Sequence, residues 1–514
     1  MATKERVEHT VKNVFWIYVS SLVGSLFPFI IRSLIIRYLG MEYLGLNSVY
    51  AAILQVLNVS ELGIGQAIGI SMYKPAAEGN TEEVNKLVSL YARFYHLLGL
   101  GIGIIGLMLI PFIPRIVNGE YPNDINILLA YFIYLTQSVL GYFVFPYCST
   151  VFVAKQSVQK IYKYQSIIWT IIYSIQGAVI YLCKDYYLYL VFLPVGTVLC
   201  GLANRVGMKK YYPQYHVRRI KKDEFDKEFW NSFVKRLSAM ALSKMRIVFR
   251  SFIDTIIISA FIGVIAAAKY QNYILTMTVP LMLVSSLITG ILPSFGNSVA
   301  LETKESNLAV IRLVTFILHW IGTVFSTFLM CFYQPFMKVW AGAEGLLSEK
   351  AVILFVVYFY LRVISEISIL IRNSSGVWWE GKWIAVVESL VNFVLNIVLV
   401  RIWGVEGIII ATIISLFFIN IPFETYSVYK HYFKIMPWRD FKEYILQGCI
   451  TLIAVMVTYN VILLCHNGSW SNFFVDILIC AFVVNFILFI FHLKNEKLKR
   501  VIEIIVQGVV RKRG

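Results

Sequence analysis

The residues in this sequence with chemistry to do are charged side chains set inside long apolar runs. Arg246, Arg250 and Asp254 recur every four residues within 237–262, so a helix would carry them on one stripe. Asp254 can neutralise Arg250, which leaves Arg246 with no acid on its own turn. Lys244 sits elsewhere around the same helix, and Arg32, inside 13–36, has no acid three or four residues away. A charge at the bilayer centre costs at least about 2.5–3.5 kcal/mol on insertion scales, so it faces a partner or a water-filled cavity. The guanidinium fork matches phosphate with paired hydrogen bonds. Arg32, Arg246 and Arg250, with Lys244 and Arg93, are therefore the candidate substrate-binding set, a cationic cavity for an anionic headgroup.

Other charges in apolar runs have simpler readings. Arg362 and Glu366 are four apart and can pair on one helix face. Lys269 and Arg312 lie near run ends and can reach the interface along their stems, and Glu424 and Asp476 also lie near ends. His96 and His319 fall within runs, where an imidazole can relay protons or satisfy an interhelical hydrogen bond; the second reading is preferred. The seven Cys are dispersed with no paired spacing, which argues against a disulfide framework or a metal site. No Gly-rich phosphate loop, triad spacing or metal-ligand cluster is present, so no catalytic residue and no cofactor is assigned.

These residues must be positioned by membrane helices. Of 514 residues 59% are hydrophobic and 15% charged, with mean hydropathy +0.72. A soluble protein carries about 25% charged residues. A chain this apolar satisfies its backbone in lipid as helices or a closed barrel, and long unbroken apolar runs exclude the alternating strands of a barrel. Fourteen runs are long enough to span: 13–36, 43–71, 87–113, 125–152, 164–183, 187–204, 237–262, 267–295, 309–336, 350–371, 383–400, 405–426, 444–464 and 473–492. The loops on the N-terminal side, with both tails, carry 32 Lys and Arg, against six in the opposite loops. That asymmetry predicts both termini in the cytoplasm. The formal charge of +17 is then mostly topological and gives no reason to expect nucleic acid. The first run is too long for a signal-peptide core and holds Arg32, so it is expected to be retained.

The expected architecture is an all-α polytopic membrane protein of two pseudo-symmetric six-helix lobes plus two C-terminal helices. The N-lobe covers 1–204, a basic amphipathic connection 205–236, the C-lobe 237–426, spans thirteen and fourteen 427–492, and a basic tail 493–514. Segment 220–233 reads as a surface helix lying at the lipid headgroups, and 497–510 reads the same way. Residues 39–50 echo 262–273 at an offset of 223, with Gly40 on Gly263, Gly45 on Ala268 and Tyr50 on Tyr273. Duplicated lobes of this kind mark transporters with a site near mid-membrane.

Three segments carry a family resemblance. "RYLGMEYLGLNSVYAAILQVLNVSELGIGQAI" (37–68), "FRSFIDTIIISAFIGVIAAAKYQNYILTM" (249–277) and "WGVEGIIIATIISLFF" (403–418) resemble polysaccharide repeat-unit (Wzx-type) flippases of the multidrug/oligosaccharidyl-lipid/polysaccharide exporter superfamily. The resemblance implies two six-helix bundles that move undecaprenyl-diphosphate-linked glycan from the cytoplasmic to the outer leaflet of the bacterial plasma membrane by alternating access. Capsule, O-antigen or exopolysaccharide synthesis would be the use. It also implies a coupling ion, H+ or Na+, and glycosyltransferase or polymerase partners, with the chain working as a monomer among membrane lipids. Glu61 and Gln66 fall in a superfamily motif, and with Asp254 and His319 they are the gating or coupling candidates; for Glu61 a packing role is preferred. A lipid II flippase, or a cation-coupled multidrug extruder of the same fold, is the alternative. An extruder would need acids for cationic drugs and usually twelve spans. A polymerase or glycosyltransferase would need a large outward loop with carboxylates, whereas the opposite loops here are all short.

Overall fold

A computed structural model describes residues 2–61, 64–220, 224–231, 233–234, 252–377, 380–465 and 473–510. Among them the chain is helical, with no strand. Ten stretches are long and apolar enough to cross a membrane, and an eleventh arises if one bent helix pair counts as a single span. The protein is a multi-pass membrane protein. Expected spans eleven and twelve run together as Lys382–Phe433, turned at Gly404, whose φ of 59° favours glycine. Expected span seven falls largely in 235–251, outside the described residues.

The chain divides into two compact units, Met1–Ala268 and Lys269–Gly514. The first holds α1 (Ala2–Tyr38), α2 (Met41–Leu57), α3 (Ile64–Glu78), α4 (Thr81–Leu109), α5 (Ile127–Phe143), α6 (Tyr147–Ala154), α7 (Gln159–Leu182), α8 (Tyr186–Tyr211) and α9 (Asp254–Phe261). Polar caps start several of them. Asn80 accepts from Glu83 N at the head of α4, Asn126 from Leu128 N and Leu129 N at α5, and Asp185 from Leu188 N at α8. Helix α1 packs along α7, α7 on α8, α8 on α5, and α5 on α4.

Two expected spans are not continuous helices. The run 43–71 is interrupted: α2 ends at Leu57, a 3-10 turn covers Asn58–Glu61, and α3 begins at Ile64. The segment "NVSELGIG" has the reasons built in, because Asn and Ser compete for backbone bonds and Gly weakens a helix. The run 125–152 bends by 48° between α5 and α6. Pro146 cannot donate to the turn before it, and Phe145 adopts φ 54°, a left-handed conformation costly for an aromatic residue. The Arg205 guanidinium lies 4.3 Å over the Phe145 ring. Gly201 admits the bend, since a Cβ there would lie 2.2 Å from Val144 O.

The duplicated segments share a backbone device. Gly40 (φ 126°) precedes α2, and Gly263 (φ 136°) precedes α10 (Val264–Leu301). Tyr50 and Tyr273, matched by the same offset, are both fully buried. Tyr50 donates to Ile127 O at 2.8 Å and Tyr273 to Gln334 Oε1 at 2.6 Å.

The described residues of 211–234 do not form a free surface helix. Aromatics among them are covered by protein: Tyr215, Phe225 and Phe233 are buried in one cluster with Tyr91 and Tyr95 of α4. Asn85 donates to Gln214 O at 3.2 Å and accepts from His216 N, and Arg218 N donates to Ser89 Oγ at 2.8 Å. Arg218 pairs with Glu224 at 2.6 Å, and that hydrogen bond raises the arginine's pKa. The backbone groups of this strap at Gln214, His216 and Arg218 thus find partners on α4.

The second unit holds the rest of α10, then α11 (Lys304–Ala341), α12 (Glu349–Ser375), α13 (Lys382–Ile414), α14 (Ile421–Val428), α15 (Trp438–Cys465), α16 (Phe473–His492) and α17 (Glu496–Val510). π-Helical turns, Ser415–Asn420 and Tyr429–Phe433, flank α14. The extra helices α15 and α16 dock on α11 through Ile450, Ala454, Val484 and Leu488 against Trp320 and Val324. Trp320 Nε1 donates to Asn485 Oδ1 at 2.9 Å across that joint.

Candidate functional site

The two broken spans meet around a cavity of about 400 Å³ inside the first unit. Helix α2 and its 3-10 turn contribute Ala51, Leu54, Gln55, Asn58 and Glu61; α4 contributes Tyr95. Helix α5 presents Tyr134, Gln137, Ser138, Gly141 and Tyr142, and α8 presents Tyr189, Leu193 and Thr197. Hydrogen bonds fix its floor. Tyr95 donates to Glu61 Oε1 at 2.7 Å and Tyr142 to Glu61 Oε2 at 3.0 Å. Asn58 Oδ1 accepts from Ser138 and from Tyr142, each at 3.0 Å. Leaving the helix at Asn58 turns these side chains to α4 and α5, so the break is what builds the floor. Gln55 and Gln137 make no hydrogen bond among the described residues, and both amides line the space.

A tyrosine wall joins this cavity to Arg32. Tyr134 and Tyr186 donate to Asn47 Oδ1 at 2.5 and 2.7 Å, and Asn47 Nδ2 donates to Tyr189 at 3.4 Å. The Arg32 guanidinium on α1 meets this network one residue on from Asn47: its Nη2 donates to Ser48 Oγ at 3.2 Å, and also to Ala268 O at 3.4 Å.

The second unit has a buried polar stripe. Glu388, Asn392 and Asn396 recur every four residues on α13 and are all buried. Asn420 donates to Glu388 Oε2 at 2.6 Å, Asn392 to Thr412 Oγ1 at 3.2 Å, and Asn396 to Asn392 Oδ1 at 3.3 Å. His319 on α11 is also buried; its Nδ1 bonds the Tyr360 hydroxyl at 2.8 Å, and its Nε2 has no partner among the described residues.

Of the residues singled out in the sequence, the structure brings Glu61 into the cavity and Arg32 beside its tyrosines. Arg246, Arg250 and Lys244 lie outside the described residues, so the four-residue stripe is not among the structure described. Asp254 is buried in the first turn of α9. Arg93 is exposed on α4 and does not line the cavity. Gln66 belongs to α3 by its backbone, and its side chain is outside the described part. Arg362 and Glu366 pair at 3.4 Å as expected. Two expectations change: Arg312 does not reach for the interface but forks onto Asp440 at 2.8 and 2.9 Å, and Glu424 is buried in an ion pair with Arg372. The charge search missed the cavity's neutral lining. Its signal is present as Gln55–Asn58 and as Tyr134–Gln137–Ser138–Gly141–Tyr142, polar groups three or four apart on one face of an apolar run.

Comparison with known proteins supplies the lineage. The family model described as "Polysaccharide biosynthesis protein" matches residues 10–299, more than half of the chain. Comparison with curated proteins gives no match. Among solved structures, the lipid II flippase MurJ in an inward closed conformation superposes with TM-score 0.71 at 17% identity, covering 95% of this chain and 99% of its own. An inward-facing multidrug resistance MATE family transporter of the MOP superfamily gives TM-score 0.62 at 11% identity, covering 81% and 98%. A mutant of the Vibrio cholerae MATE transporter VcmN gives 0.52 at 14% identity, covering 83% and 97%. At these identities the likeness is one of fold. Fold and matched sequence agree: this chain belongs to the polysaccharide biosynthesis protein family.

Proposed function

We propose that this protein is a flippase for undecaprenyl-diphosphate-linked oligosaccharide repeat units. It carries them from the cytoplasmic to the outer leaflet of the bacterial plasma membrane by alternating access, with both termini cytoplasmic. One observation carries the reading: in a chain of this family, a half-buried arginine within a membrane span is bonded into the tyrosine and amide network of a cavity walled by tyrosines, amides and hydroxyls. Arginine suits the diphosphate. A drug extruder would need acids for cations, and Glu61, the one acid on this cavity's wall, is bonded by two tyrosines. A lipid II flippase remains the second reading, because that fold covers 95% of this chain.

The binding step follows from the residues. Arg32, with Arg246 and Arg250, holds the diphosphate, while the polyprenyl chain stays in lipid. A Na+ coupling ion is assigned to the second unit, to the buried polar stripe of Glu388, Asn392 and Asn396 on α13, whose side chains carry the oxygens such a hard cation takes. His319 with Tyr360 is the proton-coupled alternative. The test is complementation of a strain lacking its own repeat-unit flippase. Restored surface glycan by the wild-type chain, and none by Arg32→Ala at equal protein level, supports the reading; full restoration by Arg32→Ala contradicts it.

A further inference from the structure

The anionic headgroup leaves most of the first unit's cavity unexplained. Its volume, about 400 Å³, falls in the range of small-molecule sites. Tyrosine rings and neutral polar groups alternate around it. Tyr95 and Tyr142 lie with centroids 5.5 Å apart, and Tyr134 on α5 and Tyr189 on α8 also line the space. Between them Gln55 and Gln137 each offer two N–H donors and a carbonyl acceptor. Glu61 has two oxygens, each already accepting one tyrosine hydroxyl, and a carboxylate has about four acceptor positions.

Each ligand class leaves a different remainder on this wall. A lipid chain would strand the amides and the carboxylate, at a cost of about 1–3 kcal/mol for each polar group left unpaired. An organic cation would use the aromatic faces and Glu61 but leave both glutamines with nothing to bond. A sugar ring uses all three kinds of group. Its C–H faces lie flat on aromatic rings, and its rim hydroxyls both donate and accept, which is what paired amides and a carboxylate require. The position narrows the choice. Tyr134 and Tyr189 wall the cavity and are bonded to Asn47, and Arg32 is bonded to the next residue, Ser48, so a ring held here lies on the side of a group that takes phosphate.

We infer that this cavity binds one neutral sugar ring of the lipid-linked glycan, the ring adjoining the diphosphate. The rings of Tyr134 and Tyr189 stack on it, and Gln55, Gln137 and Glu61 read its hydroxyls. The assignment rests on the flippase reading for its choice of glycan, and its test is independent of translocation. The full chain in lipid nanodiscs is probed by saturation-transfer NMR with methyl glycosides of glucose, galactose, rhamnose, N-acetylglucosamine and N-acetylgalactosamine, and with tetraphenylphosphonium. At least one glycoside should show saturation of its ring C–H protons. That binding should weaken at least tenfold in Gln137→Leu and in Gln55→Leu, with melting temperature checked on each. Gln55 is exposed, so its variant carries the test if Gln137→Leu fails to fold. Saturation by none of the glycosides, binding by tetraphenylphosphonium alone, or glycoside binding untouched in the folded variants would overturn the inference. A chain that binds glycoside yet moves no lipid-linked glycan would instead count against the flippase reading and leave the pocket standing.

Discussion

Two tyrosines from different helices converge on Glu61, and that makes the carboxylate a structural tie as well as a cavity wall. Glu61→Leu leaves the Tyr95 and Tyr142 hydroxyls without their acceptor, so stability should fall by about 1–3 kcal/mol; Glu61→Gln, which keeps one acceptor, should lose less. Thermal unfolding in detergent reads this, and equal melting of all three proteins would refute the tie. The buried Arg372–Glu424 pair gives a sharper contrast. Removing either partner strands a charge and should cost about 3–5 kcal/mol, whereas Arg372→Met with Glu424→Leu together should recover most of it. Additive losses in that double variant would show that the two side chains act separately. Charges were legible in the sequence because each is costly in lipid. Their partners were not: Arg312 meets Asp440 across 128 positions, a pairing only the fold creates. The tyrosines and amides of the cavity look individually like ordinary interhelical polar groups, and their convergence appears only once α2, α4, α5 and α8 are placed.

At the scale of elements, hydropathy located the spans but not their breaks. The turn at Asn58–Glu61 lies in an apolar run, and it persists because Asn58 and Glu61 are bonded by Ser138, Tyr142 and Tyr95 from other helices. Pro146 did announce its bend in the sequence, though not that Gly201 would have to accommodate it. Gly45 is a comparable case, since a Cβ there would lie 2.4 Å from Val264 O. Gly45→Ala and Gly201→Ala should each separate a backbone crossing and lower the folded yield, seen as loss of the monodisperse peak in size-exclusion chromatography. A normal peak from both would contradict the close approach. The segment 220–233 reads as a headgroup helix because its aromatics suit lipid as well as protein; in the structure Phe225 and Phe233 are buried against α4, and the stretch before them is bonded to Asn85 and Ser89. Phe225→Ser with Phe233→Ser should therefore expose the strap to limited proteolysis, while a wild-type cleavage rate would mean that it is not docked through them.

For the whole molecule, the all-α polytopic class followed from composition together with the unbroken length of the apolar runs. The lineage followed from three motifs, and the match over residues 10–299 takes in the first two of them. Under the positive-inside rule the charge of +17 is expected to be mostly topological, and the few charges inside the apolar spans are the candidates for substrate contact. The account joins these into one claim: the protein moves a diphosphate-linked glycan across the bilayer, and Arg32 grips the anionic part. The most direct measurement is flipping in proteoliposomes, with purified chain, a fluorescent undecaprenyl-diphosphate-linked oligosaccharide, and a membrane-impermeant reagent that reports the exposed leaflet. The wild-type chain should expose the inner-leaflet pool well above protein-free vesicles, and folded Arg32→Ala should reduce that rate at least tenfold. A wild-type rate no higher than empty vesicles, or an Arg32→Ala rate equal to wild type, would contradict the claim.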